Sequence, residues 1–385
     1  MRWDNLRLDT DGDTSSPDGG RQVPMFERGA IVRTFDTPGF RGMTFYEVQA
    51  KSIVSRVPDA SRMPFRWTIN PYRGCQHACT YCFARNTHTY LDLDAGADFD
   101  SKVVVKVNAP ELLRKKLASA SWQGEHIAMG TNVDCYQRAE GRYELMRGII
   151  GALSDAANPF SILTKGTLIL RDLDLLLEAA EVTEVGLNVS AAFVDKSLWR
   201  AIEPGTPAPE RRIEACAALN DAGLRCGVLM GPVVPFLSDS PAQLDAAVRQ
   251  IAESGATHVT PIVLHLRPGT REWFLGWLHT AHPELAGRYA ELYRRGAYAP
   301  KGYQARIAGQ VRELAEKYGV GRRTPRQARA LRSAAGRSPA RRSAGSQSPA
   351  SRSPAEPSAA IPPSPARAPG QACAGAAGHE QLTLI

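Results

Sequence analysis

At 385 residues, 43% of them hydrophobic, the chain is long enough to bury one large core of roughly 200 to 300 residues, with material left for tails. Its seven cysteines, three of them within eight residues, lack the regular spacing of a secreted disulfide framework and read as intracellular metal binding. The formal charge of +8 falls wholly in residues 321–385, which hold ten Arg and two Glu; the 37 basic and 37 acidic residues before them balance, so composition gives the core no polyanion-binding face.

No charged segment precedes an apolar run at the start, and no stretch of about 18 apolar residues occurs anywhere. A signal peptide and a membrane span are therefore not expected, and the chain reads as cytoplasmic. Residues 1–22 are polar and Gly-rich, residues 23–64 form an N-terminal extension, residues 65–320 carry the apolar pattern of a folded core, and residues 321–385 are Arg, Ser, Pro and Ala with almost nothing to bury. Both ends are expected to be disordered.

Within the core, short β-like runs alternate with longer helical ones. FRWTI (65–69) precedes a cysteine loop, EHIAMGT (125–131) precedes YELMRGIIGALSDA, and FSILTK (160–165) precedes LDLLLEAAEV. VGLNVSA (185–191) precedes PERRIEACAALNDAG, LRCGVLMG (224–231) precedes SPAQLDAAVRQIAESGA, and THVTPIVLHL (257–266) precedes REWFLGWL. Six β-then-α units predict an α/β fold with a parallel sheet, either open and doubly wound or curled into a partial barrel. Ser240 followed by Pro241 predicts a helix start, and Gly223 and Gly255 stand where helices should stop. In both architectures active groups gather at the carboxyl ends of strands.

The loop after the first strand, NPYRGCQHACTYCFAR (70–85), places Cys75, Cys79 and Cys82 in a C-x3-C-x2-C pattern. Three thiolates hold three irons of a cubane and leave the fourth iron open to a small molecule. Structural zinc, with His77 as fourth ligand, is the alternative, although no second cysteine pair accompanies the triplet.

C-x3-C-x-Y-C after a first strand resembles the signature of the radical S-adenosylmethionine (SAM) superfamily. Five segments, NPYRGC, GTNVDCYQRAE (130–140), ILTKGTLILRDLDLL (162–176), EPGTPAPERRI (203–213) and VLMGPVVPFLSD (228–239), resemble the spore photoproduct lyase-like proteins over about residues 62–319. The resemblance implies a partial (β/α)6 barrel and a [4Fe-4S] cluster whose open iron chelates SAM. It further implies reduction by flavodoxin or ferredoxin, and cleavage of SAM to a 5′-deoxyadenosyl radical that takes hydrogen from substrate.

On that resemblance, Thr131, Asn132 and Asp134 after the second strand are candidates for the methionyl ammonium, with turn chemistry the other reading. Lys165 and Arg212 are candidates for its carboxylate or a substrate anion, Ser190 for ribose hydroxyls, and Tyr81 for packing near adenine. Cys216 and Cys226 fall on apolar stripes and read as core, as do Trp273, Phe274, Trp277 and Leu278. Cys135, one residue past Asp134, is the candidate hydrogen donor to a product radical. In the true lyases that donor cysteine stands before the stretch after the second strand; here the matching position is Met129, which weakens the transfer of thymine-dimer repair.

The chain ends EQLTLI, an apolar pattern after sixty residues of low complexity. Gln381, Leu382, Leu384 and Ile385 resemble the short peptides that dock on the bacterial sliding clamp. Two functions follow as expectations: a radical SAM enzyme acting on an unidentified substrate, with nucleic acid favoured, or a non-catalytic iron-sulfur adaptor that works through its tail.

Overall fold

The six apolar runs form six strands. In the computed structural model, which describes residues 6–7, 30–59, 61, 63–322 and 327, these are β1 (Trp67–Ile69), β2 (Ile127–Met129), β3 (Phe160–Thr164), β4 (Val185–Ser190), β5 (Cys226–Val233) and β6 (Val259–Val263). They lie in chain order in one sheet, every neighbouring pair parallel, with Met129 opposite Ile162, Leu163 opposite Asn188, and Asn188 opposite Gly227. Nearly continuous apolar runs suit such strands, because helices cover the outer face while the inner face curls on itself. Val54–Arg56 runs antiparallel along the free edge of β1. The sheet does not close, yet Phe65 just before β1 and Ile262 on β6 line one cavity, so it bends into an open, partial barrel.

The connecting helices are α1 (Ala109–Leu117), α2 (Leu145–Asp155), α3 (Leu173–Val182), α4 (Pro209–Asp221), α5 (Pro241–Glu253) and α6 (Thr270–Ala281). Their apolar stripes pack α1 on α2, α2 on α3, and α4 on β4 and β5. The predicted start of α5 is a full capping box: the Gln243 amide donates to Ser240 Oγ, the Gln243 side chain accepts from the Ser240 amide, and Pro241 opens the first turn. Gly223 and Gly255 follow α4 and α5 with positive φ, as helix ends require. A seventh helix, α7 (Lys301–Tyr318), packs on α5 and β6 and covers the open edge of the sheet. Among the described residues no helix is long and apolar enough to cross a membrane.

A second sheet was not foreseen from sequence. Thr44–Ala50 and Lys102–Lys106 pair in parallel, Tyr72–Arg73 pairs antiparallel with the latter, and Ile31–Arg33 and Leu6–Arg7 flank the former. Alternation along these strands sends Phe45, Val103 and Val105 into the main core, and Tyr46, Val48 and Val104 to a small cluster with Leu91 and Leu93. The described part of the N-terminal extension, from residue 30 on, is thus woven into the core. Since Tyr72–Arg73 leads directly into Cys75, the second sheet fixes where the cysteine loop begins. Apart from Leu6–Arg7, Gly321, Arg322 and Gln327, the segments expected to be disordered lie outside the described residues, and so does the terminal QLTLI.

Candidate functional site

β1 ends at Ile69, and the chain then arcs across the mouth of the barrel. The Cys75 amide donates to Phe99 O at 2.9 Å, and Gln137 spans the loop, accepting from the Gln76 amide at 3.0 Å and donating to Gly74 O at 3.0 Å. Arg85, three residues past Cys82 and fully buried, donates to Cys79 O through Nε and Nη2 at 3.1 and 3.0 Å, and pairs with Asp100. The loop is therefore rigid, and Cys75, Cys79 and Cys82 all face one cavity of about 620 Å3. Burial, reinforced by the Glu203 carboxylate, pushes the Cys79 thiol up to about 12. Ligation to iron must displace that proton.

β2 is followed by Gly130, whose φ is +76° and where a Cβ would lie 1.8 Å from Leu163 O. Only glycine lets the following turn cross so close to β3. That turn brings Thr131, Asn132 and Asp134 to the cavity wall, as the sequence suggested. Their situations differ. Asp134 is saturated: it accepts from the Tyr136 amide at 2.9 Å, Thr164 Oγ1 at 2.6 Å and the Lys165 amide at 2.6 Å, with His77 Nδ1 at 3.4 Å. Burial alone would raise its carboxyl; His77 and these donors outweigh that and lower it to about 2. Thr131 Oγ1 and Asn132 Oδ1, by contrast, are buried with no hydrogen-bond partner.

Lys165 and Ser190 meet across β3 and β4. The Lys165 ammonium donates to Ser190 Oγ at 2.9 Å, Ser190 Oγ donates to Gly231 O at 3.0 Å, and both side chains line the cavity. The ammonium also stands 5.8 Å from the centre of the Tyr81 ring. Tyr81 faces the cavity with its ring while its hydroxyl donates to Glu203.

Two expectations are corrected. Arg212 does not reach the cavity: 1% exposed, it pairs with Glu203 and donates to Pro207 O, Ser190 O and Thr206 Oγ1 at 2.8, 3.0 and 2.9 Å. Four of its five N–H donors are engaged inside the protein and the group is buried away from the chamber, so it acts by holding Tyr81 through Glu203. Cys135 is 0% exposed and absent from the cavity wall, because its side chain turns into the core while that of Asp134 turns outward. It is not placed to give hydrogen to anything in the chamber. Cys216 and Cys226 are buried core residues as read, and so are Phe274 and Leu278.

Glu203 and Arg85 were missed, and His77, read only as a zinc ligand, instead stands beside Asp134. Burial works against the Glu203 carboxylate, but Arg212 and Lys165 keep it ionised below its ordinary range. Its signal was its place in EPGTP, whose backbone stitches to the cysteine loop through Thr80 N to Ile202 O and Gly205 N to His77 O.

The donor set fits an iron-sulfur cluster and SAM better than zinc. Among the described residues no three His, Cys, Asp or Glu side chains converge as a single metal ion requires, whereas the thiols of a cubane stand on separate irons. Thr131 and Asn132 line the same chamber, and their Oγ1 and Oδ1 have no hydrogen-bond partner.

Known proteins agree. The sequence profile of the radical SAM superfamily matches residues 69–249. An uncharacterised protein of Mycobacterium tuberculosis strain H37Rv is 50% identical over 318 residues, covering 83% of this chain and 93% of its own. One from Methanocaldococcus jannaschii is 33% identical over 195 residues, 50% of this chain and 69% of the other. Among solved structures, spore photoproduct lyase complexed with dinucleoside spore photoproduct aligns over 72% of this chain and 80% of its own, with a TM-score of 0.55 and 14% identity, which shows a shared fold. A variant of that lyase with bound AdoMet gives a TM-score of 0.53 at 14% identity, over 68% of this chain and 77% of its own.

Proposed function

This chain belongs to the radical SAM superfamily, whose cofactors are a [4Fe-4S] cluster and SAM, and we propose that it is a catalytically active member that takes hydrogen from a nucleic-acid substrate. The reading rests on one observation above all: three thiols in C-x3-C-x2-C spacing line one chamber together with Thr131 and Asn132, whose buried Oγ1 and Oδ1 have no hydrogen-bond partner. With its cofactors bound, the site supplies a 5′-deoxyadenosyl radical as hydrogen acceptor.

Cys75, Cys79 and Cys82 hold the cluster. Thr131 and Asn132 receive the methionyl ammonium, Lys165 meets the carboxylate, Ser190 the ribose hydroxyls, and Tyr81 packs against adenine. Asp134 and Arg212 are positioning residues. Asp134 draws the Lys165 backbone to the wall, and Arg212 holds Glu203, which holds Tyr81. Most of the chamber surface is apolar, which limits the water around a bound cofactor.

Nucleic acid is favoured as substrate because the structural neighbour carries a dinucleoside photoproduct. Thymine-dimer repair itself is not proposed. Met129 lines the chamber where a thiol donor would be wanted, and a thioether has no S–H hydrogen to give. Flavodoxin or ferredoxin would supply the electron. Docking of Gln381, Leu382, Leu384 and Ile385 on a sliding clamp rests on sequence alone; a terminal peptide that binds purified clamp no better than its Leu382→Ala, Leu384→Ala form would end that idea.

The enzymatic reading predicts that anaerobically reconstituted, reduced protein converts SAM to 5′-deoxyadenosine, and that Cys79→Ala abolishes the conversion. Wild-type protein with a full iron and sulfide complement that leaves SAM intact would favour the adaptor instead.

A further inference from the structure

Inward-facing positions recur at every second residue along the barrel strands, so Asn188 on β4 points into the same chamber as Ser190 but one layer deeper, about 7 Å along the strand at 3.3 Å per residue. Its surroundings are built. His258 Nε2 lies 2.8 Å from Asn188 Oδ1, and His258 Nδ1 lies 3.1 Å from Thr257 Oγ1. A carboxamide oxygen has no hydrogen to give, so Nε2 is the donor, while the Thr257 hydroxyl can serve Nδ1 as donor or acceptor. Partial burial and the Arg225 charge push the protonation of the ring down.

With Oδ1 occupied, Asn188 turns its amide hydrogens toward the chamber, and no protein acceptor among the described residues meets them. The backbone makes room for this pair. Gly227 sits opposite Asn188 on β5, and a Cβ there would fall 2.2 Å from the His258 ring. Glycine inside a strand weakens it, so its use here marks a close approach that the imidazole requires.

Charge limits what can enter this depth. Among the described residues Asp134 and Lys165 are the only Asp, Glu, Lys or Arg side chains on the chamber wall; Asp134 is saturated, and Lys165 lies in the layer of Ser190. The wall at the level of Asn188 is Leu163 and His258, with Ser161 two residues further down β3.

We infer that Asn188 is a specificity residue that donates to a carbonyl oxygen on an uncharged, flat portion of the substrate, with His258 as the positioning residue that fixes the direction of the amide. A pyrimidine base is such a group. This inference rests on the proposed reading of the chamber and narrows its substrate to one that delivers a neutral carbonyl-bearing ring rather than a phosphate or carboxylate.

The experiment uses the full, cluster-reconstituted chain with SAM bound, and thymidylyl-thymidine as probe, its binding read by ligand-observed NMR against the corresponding abasic dinucleotide. The wild type is expected to bind the probe but not the abasic control. Asn188→Leu is expected to weaken the probe about tenfold and Asn188→Asp at least as much, since a carboxylate would face the carbonyl. His258→Ala is expected to cost about threefold alone and nothing further in the Asn188→Leu background, a coupling that loss of packing alone would not produce. SAM affinity, measured separately, distinguishes the two failures. A wild type that does not bind SAM defeats the proposed function. One that binds SAM but binds both dinucleotides equally, binds neither, or binds the probe unchanged after Asn188→Leu defeats the role given to Asn188.

Discussion

Two sectors of the chamber wall are polar in opposite ways. Asp134, Lys165, Ser190 and Tyr81 on the wall, with Glu203 and Arg212 buried behind it, form a chain in which each charge has a protein partner. On the turn after β2, Thr131 and Asn132 present buried oxygens with none. Buried polar groups left unpaired destabilise a fold by about 1–3 kcal/mol each, so they persist where a ligand completes them. The difference separates residues that shape the chamber from residues that meet its contents, although both sets sit at strand ends and look alike in sequence.

The largest expected effect breaks the saturated sector. Glu203→Gln leaves Arg212 buried without its counter-charge and should destabilise the fold by roughly 3–5 kcal/mol. Replacing both residues by Met should recover much of that loss, because an apolar pair needs no counter-charge. Chemical denaturation of the single and double variants decides the point; additive losses would mean the two residues do not act as a unit.

Asp134→Asn should be smaller, about 2 kcal/mol at pH 7. A carboxyl lowered from 3.8 to about 2 in the folded state contributes stability that is present above pH 4 and is lost as pH falls toward 2. The stability gap between wild type and variant should therefore narrow across that window. A gap that stays constant from pH 7 to pH 2.5 would show that the negative charge is not what Asp134 contributes.

The same contrast explains what the sequence made legible. The triplet could be read because its ligand chemistry depends on local spacing, and the six strands because each is a single apolar run with a helix behind it. Glu203 could not: beside Pro204 and Gly205 it reads as a turn residue, and its burial depends on Tyr81, 122 positions away. Arg212 was recognised as a charge near the site, but its direction is set by Glu203 and Ser190 O, which only the fold brings together. Cys135 went wrong for a local reason, since adjacent loop residues face opposite ways and Asp134 took the cavity side. Asn188 stood in plain view as one polar residue in VGLNVS, but attention to strand ends passed over the period-2 signal that aims it inward. The second sheet was hidden because Tyr72–Arg73 and Ile31–Arg33 are too short to show any period, and their partners are distant in sequence.

The smallest effect tests the open sector. Thr131→Val keeps the shape of the side chain and removes a hydroxyl that has no partner, so unliganded stability should be unchanged or rise by up to about 1 kcal/mol. SAM should nevertheless bind about five- to tenfold more weakly to the reconstituted variant, since a donor on the ligand would lose its acceptor. The two readouts pull apart only if the hydroxyl is there for the ligand. A variant that loses stability and keeps its SAM affinity would place Thr131 with Asp134 as a builder of the turn. The wall would then hold one kind of polar residue, and recognition of the ammonium would fall to Asn132 and the backbone carbonyls beside it.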